Sequence, residues 1–191
     1  YRTLPKGRAL EVFERFDAPV QADLLARLQD VQVAEVFSAL SPEDRVPLLD
    51  ELPATVANRL VLGLSEEDRM LTTAVLGYPR GAVGRYMSPR VVTARPGMTA
   101  QEALDRVRKQ LDDAESIYVI AVTDSSRHLL GVVPLRDLLR AGGTEQVADL
   151  MQAPVSVPAT LNAEEAARYC ADAKVLVLPV VDAEGRLVGV L

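Results

Sequence analysis

The sequence of 191 residues has one cysteine, one histidine and no tryptophan, and aromatic residues make up only 4 % of it. A single cysteine excludes an internal disulfide framework, which suits a protein of a reducing compartment. A lone histidine, without a second histidine or a cysteine at ligand spacing, argues against a zinc site. Cys170 lies in the helical pattern AEEAARYCADA, where we expect it to be a small buried hydrophobic residue.

Long apolar runs and clustered basic residues are missing as well. The run VLVLPVV at 175–181 is far shorter than the roughly 20 residues of a membrane helix. The net charge is −6, which argues against a nucleic acid partner because phosphates require clustered Lys and Arg. An acidic surface is compatible with cation binding, but charge alone favours the simpler alternative of a merely soluble acidic protein. No glycine-rich phosphate loop, metalloprotease motif or nucleophile elbow is present, so we predict that the chain is not an enzyme.

The first part of the chain has the hydrophobic period of helices. In SPED at 41–44, Ser41 is placed to cap a helix that has Pro42 at its first position. In SEED at 65–68, Ser65 is followed three residues later by Asp68, the spacing of a capping box. Helical runs separated by such start signals predict an all-α superhelix domain over residues 1–80.

After GYPRG at 77–81, strand-like and helix-like runs alternate in the order β-α-β-β-α, and this order occurs twice. We place the first copy at 81–143 and the second at 144–191. Thr99 and Asn162 precede the first helix of each copy as N-caps. The alignment predicts that the helix of the first copy is about five residues longer, through DDAE at 112–115. The other corresponding pairs are Met87 and Met151, Asp124 and Asp182, and Gly131 and Gly189.

Several segments carry a family resemblance. A glycine and two apolar residues lead into LRDLL at 135–139, and VTD at 122–124 precedes them, as in tandem cystathionine-β-synthase-type (CBS) domains. With AEVFSALSPEDRVPLLDELP and LGYPRGAVGRYMSPRVVTARPGMTAQEAL, the chain resembles the cytosolic part of MgtE-type magnesium transporters over almost its whole length. The resemblance implies an α+β protein, in which an all-α helical superhelix domain precedes a CBS pair whose second unit is incomplete at its C-terminus.

The resemblance also implies a function. It places the chain at the cytoplasmic face of the cell membrane, as the regulatory region of a longer protein whose transmembrane domain lies outside this sequence. Mg²⁺ bridging the acidic helical domain and the CBS domains would close the pore. The CBS pair is expected to form a homodimer. Because the second copy stops at Leu191, we also expect apolar side chains of its last strand, Val188 and Val190, to be uncovered.

Matching the sequence to the family position by position gives Glu35 as a candidate magnesium ligand and Glu67 near a second family position. Asp68 is the neighbour of Glu67, and Asp172 lies two residues from a matched position and would substitute only with a shifted backbone. Glu35 in VAEVF and Glu67 and Asp68 in SEED are the candidates in the helical domain, and Asp172 is the candidate in the CBS pair. Mg²⁺ prefers oxygen ligands and retains several waters, so one or two carboxylates are enough for a site. The alternative for each residue is an ordinary solvated helix charge, and Asp68 is also placed to be the capping-box acid. Lys174 stands where relatives often have an acid.

The resemblance implies a second ligand, an adenine nucleotide such as ATP, for which Arg136 and Asp137 occupy the phosphate and ribose positions. Pro134 stands where the family motif often has Ser or Thr, and proline offers neither a hydroxyl nor an N–H donor. Asp137 is equally explained as an acid at a helix N-terminus. The alternative function is therefore a stand-alone CBS module that senses adenine nucleotides and regulates a partner protein.

Overall fold

The structure, a computed structural model, describes residues 12–13, 15–26 and 30–191. The first eleven residues of the predicted helical domain lie outside the described residues. The chain divides into two compact units, one ending at Gly77 and the other spanning Tyr78–Leu191. We call them the helical unit and the α/β unit.

The described part of the helical unit contains a series of short helices, and its serine caps lie where the sequence predicts them. Ser41 accepts a hydrogen bond from the backbone N–H of Asp44, and Ser65 accepts one from that of Asp68. The helices are α1 (Ala18–Ala26), α2 (Asp30–Ala39), α3 (Pro42–Glu51), α4 (Ala54–Leu62) and α5 (Glu66–Leu76).

The core of the helical unit is aliphatic, with two phenylalanines. Each fully buried side chain of this kind contributes about 1.5–3 kcal/mol to folding. Among the described residues of this unit, the charged side chain of Arg45 lies inside, at 1 % exposure. The buried core residues are Phe13, Leu25, Val33, Phe37, Leu40, Leu48, Leu49, Leu60 and Leu64.

Two small sheets with the same topology confirm the predicted internal repeat. In each sheet the first strand pairs in parallel with the second, and the second pairs antiparallel with the third. The register is equivalent too, since Val122 pairs with Gly131 and Val180 pairs with Gly189. The strands are β1 (Thr93–Ala94), β2 (Val119–Thr123), β3 (Leu129–Pro134), β4 (Val157–Pro158), β5 (Pro179–Val181) and β6 (Leu187–Val190).

Four helices complete the repeats, and the first of them corrects a prediction. Helix α6 (Ala100–Lys109) ends before the segment 112–115, whereas α9 is one residue longer than α6. The N–H groups of Asp113 and Ala114 bond the carbonyl of Gln110 in tight turns. Acids are unfavourable at a helix C-terminus, and three basic residues in the last turn favour an end at Lys109. The others are α7 (Leu135–Arg140), α8 (Val147–Leu150) and α9 (Ala163–Ala173).

The sheet of each repeat is extended by a segment of the other repeat. Ser88 and Val190 exchange two backbone hydrogen bonds of 2.8 and 2.9 Å, and Gln152 and Val132 exchange two of 2.8 and 3.0 Å. This pairing covers β6, so the expectation that Val190 is uncovered is wrong: it is 4 % exposed. Val188 is half-buried and packs against the core of the second repeat.

Glycines permit this close approach. A Cβ atom at Gly189 would lie 2.7 Å from the carbonyl oxygen of Ser88, and one at Gly131 would lie 2.9 Å from that of Gln152. A Cβ atom does not approach a backbone oxygen so closely without a shift of the chain, so each position accommodates the opposing backbone because it lacks a side chain.

The turns of the two hairpins also contact each other. Leu129 donates its backbone N–H to the carbonyl of Gly185 at 3.0 Å, and Leu187 donates to that of Arg127 at 2.9 Å. Asp124 and Asp182, which the alignment pairs, each accept two backbone N–H bonds within their own turn. The α/β unit is therefore held together by backbone contacts between the repeats at several places, both along the sheets and at the hairpin turns.

Candidate functional site

Two of the candidate magnesium ligands lie on exposed surfaces of the helical unit. Glu35 is exposed on α2, and Glu67 is exposed in the first turn of α5, between Glu66 and Asp68. Acids in the first turn of a helix are stabilised by its macrodipole, which accounts for this cluster without a ligand. Exposed carboxylates are also suited to a hydrated Mg²⁺ ion, which exchanges few of its waters for protein oxygens.

Asp68 has different surroundings, because both of its carboxylate oxygens contact protein groups. Its Oδ1 accepts a hydrogen bond of 3.2 Å from Nη1 of Arg45, and its Oδ2 accepts one of 2.9 Å from the hydroxyl of Ser65. Its side chain is 23 % exposed, against 1 % for Arg45. Asp68 thus links the N-cap of α5 to a buried cation.

Asp172 is exposed in the last turn of α9, in the α/β unit. Within the described residues, no three His, Cys, Asp or Glu side chains come together in a group that could hold a metal ion. Mg²⁺ needs no such group, since one or two carboxylates and several waters fill its coordination shell. The assignment of Glu35, Glu67, Asp68 and Asp172 as metal ligands stays a prediction.

A cleft of about 610 Å³ opens within the α/β unit, between its two repeats. This volume is within the range of about 300–1,000 Å³ that small-molecule sites occupy. The first repeat contributes Tyr118, Val119, Val132, Pro134, Leu135, Arg136 and Leu139, and the second contributes Gln152, Ala153, Val155, Lys174, Val175, Leu176, Val177 and Pro179.

The polar chemistry of the cleft centres on Arg136 and Lys174. The Arg136 side chain is 75 % exposed, with its Nε 3.7 Å from Oδ1 of Asp137. Nε2 of Gln152 donates to Oδ2 of Asp137 at 3.3 Å and so connects the second repeat to this carboxylate. Lys174 ends α9 in a left-handed conformation, with φ of 53°. Two cations beside an apolar wall suit an anionic ligand that carries a flat apolar group.

Pro134 lines the cleft at the position where the family motif often has Ser or Thr. It is the N-cap of α7 and makes no side-chain capping bond, and because proline has no hydroxyl it offers none to a ligand. The sequence motif predicts ligand-binding roles for Arg136 and Asp137, whereas Lys174, Tyr118 and Leu176 lie outside it and line the cleft. Tyr118 is 67 % exposed and Leu176 is 84 % exposed, although both are large hydrophobic residues. A large apolar side chain just after a helix end is the sequence signal that could have identified Leu176.

Two groups of the α/β unit have raised pKa values for reasons unrelated to these sites. Burial raises the pKa of the Cys170 thiol, which is half-buried against the core of the second repeat. Burial, followed by the charge of Asp182, raises the pKa of Tyr78. A thiol with a raised pKa is less nucleophilic at neutral pH. Cys170 is only partly buried, not fully buried as expected, although it does pack against the core.

The fold therefore defines a class: a helical domain followed by a pair of tandem repeats that enclose a ligand-sized cleft. Family models identify both parts, with the MgtE intracellular N domain matching residues 1–81 and the CBS domain matching 83–143 and 147–191. The chain belongs to the MgtE family. This confirms the predicted family and the predicted α+β fold, in which a helical domain precedes a CBS pair. Helices both long and apolar enough to span a membrane are absent from the described residues.

Known proteins show the same likeness. The chain is 38 % identical to the magnesium transporter MgtE of Thermus thermophilus over 98 % of this chain and 43 % of that protein. It is 27 % identical to MgtE of Bacillus subtilis over 90 % of this chain and 38 % of that protein. The chain thus spans about two fifths of these relatives.

A solved structure of the cytosolic domain of the Mg²⁺ channel MgtE in complex with ATP superposes with a TM-score of 0.93 at 37 % identity. That superposition covers 98 % of this chain and 77 % of the other. The soluble part of a magnesium transporter superposes with a TM-score of 0.84 at 24 % identity, over 100 % of this chain and 80 % of the other, and supports the fold alone.

Proposed function

We propose that this chain is the magnesium-sensing regulatory region of an MgtE-family magnesium transporter, at the cytoplasmic face of the cell membrane. In the full-length protein its partner would be the transmembrane domain, whose pore it closes at high Mg²⁺. The observation that carries the proposal is the match of both domains, in this order, to the cytosolic domain of a Mg²⁺ channel. This function involves no catalytic step.

Charge supports a response to a divalent cation. The first 80 residues carry nine Lys and Arg against thirteen Asp and Glu, and the remainder carries twelve against fourteen. Two acidic regions repel each other, and a divalent ion bound to carboxylates of both reverses the sign of that interaction. Glu35 and Glu67 would hold Mg²⁺ in the helical unit, together with its waters, and Asp172 is the candidate in the CBS pair.

Small-angle scattering of the chain with and without Mg²⁺ tests this function. We expect millimolar Mg²⁺ to reduce the radius of gyration, and NaCl at matched ionic strength to do less because screening is not bridging. The double variant Glu35→Gln with Glu67→Gln should weaken the response. The control removes two other exposed acids of the same unit, Glu51→Gln with Glu66→Gln. Identical scattering of the parent with and without Mg²⁺ would refute the proposal.

A homodimer through the CBS pair is part of the proposal, and it rests on the family resemblance because β6 is covered within the chain. The chain has a mass of 20.7 kDa. Sedimentation equilibrium at high micromolar concentration should give twice that mass. A strictly monomeric mass would exclude the dimer for this region.

The cleft supports a second ligand, an adenine nucleotide such as ATP. Its volume, its two cations and the exposed Tyr118 ring match the phosphates and the base of such a ligand, and the superposed Mg²⁺ channel domain is a complex with ATP. Titration calorimetry with ATP should detect binding that Arg136→Ala and Lys174→Ala each weaken. Arg168→Ala, an exposed arginine of α9 that does not line the cleft, is the control. Saturable binding together with no scattering response to Mg²⁺ would favour the stand-alone nucleotide sensor.

A further inference from the structure

Arg45 is the centre of a buried polar network in the helical unit. Its guanidinium donates to the backbone carbonyls of Phe37 at 3.1 Å and Ser38 at 2.8 Å, both at the end of α2. It also donates to Oδ1 of Asp68 at 3.2 Å and to the hydroxyl of Thr72 at 3.0 Å, both on α5. One side chain of α3 thus joins two other helices.

This network uses properties that only arginine has. The rigid, planar guanidinium presents five N–H donors in fixed directions, whereas a lysine ammonium is a single point with three. The guanidinium carbon also lies 5.9 Å from the centre of the Phe37 ring. Because a buried cation is costly without partners, its acceptors are held at defined positions around it. The relative placement of α2 and α5 is therefore set in part by Arg45.

The two segments that Arg45 joins are the ones that carry the candidate magnesium ligands. Glu35 lies two residues before Phe37 on α2, and Glu67 is the neighbour of Asp68 on α5. We infer that Arg45 and Asp68 form a positioning pair for magnesium sensing, which fixes the helix segments of Glu35 and Glu67 without touching the ion. The inference rests on the proposed function, and it gives Asp68 a role different from that of a ligand.

Arg45→Lys separates the two roles of Asp68 by the sign of its effect. If Asp68 positions its neighbours through Arg45, the lysine keeps the charge but loses the fork, and the Mg²⁺ midpoint of the scattering response rises. We expect about tenfold, the lower end of what loss of an outer-shell partner costs a metal site. If Asp68 is a ligand held back by Arg45, loosening the pair frees its carboxylate and the midpoint falls.

A second variant guards against misfolding of the first. Thr72→Val keeps the shape of a fully buried side chain and the Arg45–Asp68 pair, and it removes one acceptor. It should raise the midpoint in the same direction by a smaller factor. The controls are Arg69→Lys, the same exchange one residue after Asp68, and Leu60→Val, a core variant of lowered stability. Neither should move the midpoint, whereas a merely structural role of Arg45 would give Leu60→Val the same effect.

Backbone amide spectra without Mg²⁺ provide the independent readout. Both test variants should displace the signals of residues 35–38, thirty or so positions away from Thr72 in the sequence, and Arg69→Lys should not. A responding parent with an unchanged or lowered midpoint in Arg45→Lys would overturn the positioning role alone. A parent that ignores Mg²⁺ would overturn the proposed function and, with it, this role for the pair.

Discussion

The helical unit and the CBS pair hold their helices and strands together in different ways. The helical unit contains Arg45, which among the described residues is the charged side chain with less than a tenth of its surface exposed. The buried polar side chains of the CBS pair in the same set are uncharged, Ser88 and Thr123. Side-chain polar bonds to a single cation connect helices in the first unit, whereas backbone bonds, joined by a few side-chain bonds such as that of Gln152 to Asp137, connect the repeats in the second. The two units should therefore respond to different substitutions.

The largest effect is expected from removing the buried cation. Arg45→Met should destabilise the helical unit by about 3–5 kcal/mol, because Asp68, Thr72 and two carbonyls lose their donor. Hydrogen exchange followed by mass spectrometry should show faster exchange in peptides from 42–76 and unchanged exchange in peptides from 119–134.

Two further variants sharpen that prediction. Adding Asp68→Asn to Arg45→Met should recover part of the loss, because it removes the carboxylate that was left without its cation. Arg69→Met, at a partly exposed position nearby, should have little effect. Equal acceleration across both units would mean that the network does not act locally.

Substitutions of Gly189 and Gly131 should destabilise the CBS pair and leave the helical unit unchanged. Gly189→Ala places a Cβ atom 2.7 Å from the Ser88 carbonyl and 2.8 Å from the Met87 side chain, so the paired segments must separate. We expect a loss of about 2 kcal/mol, as for other overpacked sites. Gly131→Ala, with its nearest contact at 2.9 Å, should cost less. Urea denaturation followed by circular dichroism measures both, and a more damaging Gly131→Ala would contradict this order.

Local patterns explain how much of the fold could be predicted. The serine caps depend on residues close in sequence, and the repeat with its alignment of Gly131 and Gly189 depends on a local pattern that occurs twice; the structure agrees with both. The end of α6 was missed because the alignment extended the helix, although the acids that follow Lys109 oppose it. The burial of Val190 was missed because its cover, at Ser88, lies about a hundred residues earlier.

Candidate site residues that belong to a short motif could be predicted from the sequence, and those brought together by distant contacts could not. Arg136 and Asp137 belong to a short motif, and Arg136 does line a cleft. Lys174 and Leu176 reach that cleft from the other repeat, and no local pattern shows which side chains two repeats bring together. The contact of Asp68 with Arg45 spans 23 residues and changes the most natural explanation of that acid. No local sequence pattern distinguishes a metal-binding carboxylate from an ordinary exposed acid, so sequence resemblance is the main support for Glu35.

Removing a helix cap should destabilise the protein less than substituting a glycine. Thr99 and Asn162 cap equivalent helices, so their variants compare the two repeats directly. Thr99 and Glu102 form a reciprocal capping box at α6, whereas Asn162 at α9 accepts two backbone N–H bonds without a returning side chain. Thr99→Ala and Asn162→Ala should each cost about 1 kcal/mol. Adding Glu102→Gln to the parent should change little, because the amide oxygen still accepts from the N-cap. Thermal unfolding of the three variants checks this, and a neutral Thr99→Ala would show that the box is dispensable.

The smallest expected effect is the loss of stability at low pH that comes from Asp124 and Asp182 in the two hairpin turns. The hydrogen bond from His128, at 2.8 Å, is the main cause that lowers the pKa of Asp124, and backbone N–H groups of His128 and Ser126 add to it. For Asp182, burial alone would raise the pKa, but N–H groups of Arg186 and Glu184 and the charge of Arg186 lower it overall. Both carboxylates thus have a lower pKa in the folded protein than the usual value of about 3.9.

A lowered folded-state pKa means that the unfolded chain binds the proton more readily, so each turn contributes stability above about pH 4 and loses it as the pH falls through the folded value. We therefore expect the urea midpoint to drop between pH 6 and pH 3, and to drop less in Asp124→Asn and Asp182→Asn. Asparagine keeps the oxygen that accepts the turn N–H groups but does not titrate. Asp124→Asn should flatten the pH profile more, because burial, which raises the pKa, is the largest influence at Asp182 but is outweighed at Asp124 by the hydrogen bond from His128. Asp112→Asn, which removes an exposed acid outside the hairpins, is the control for the change in net charge. A profile as steep in Asp124→Asn as in the parent would show that acid acts on the CBS pair elsewhere than at these turns.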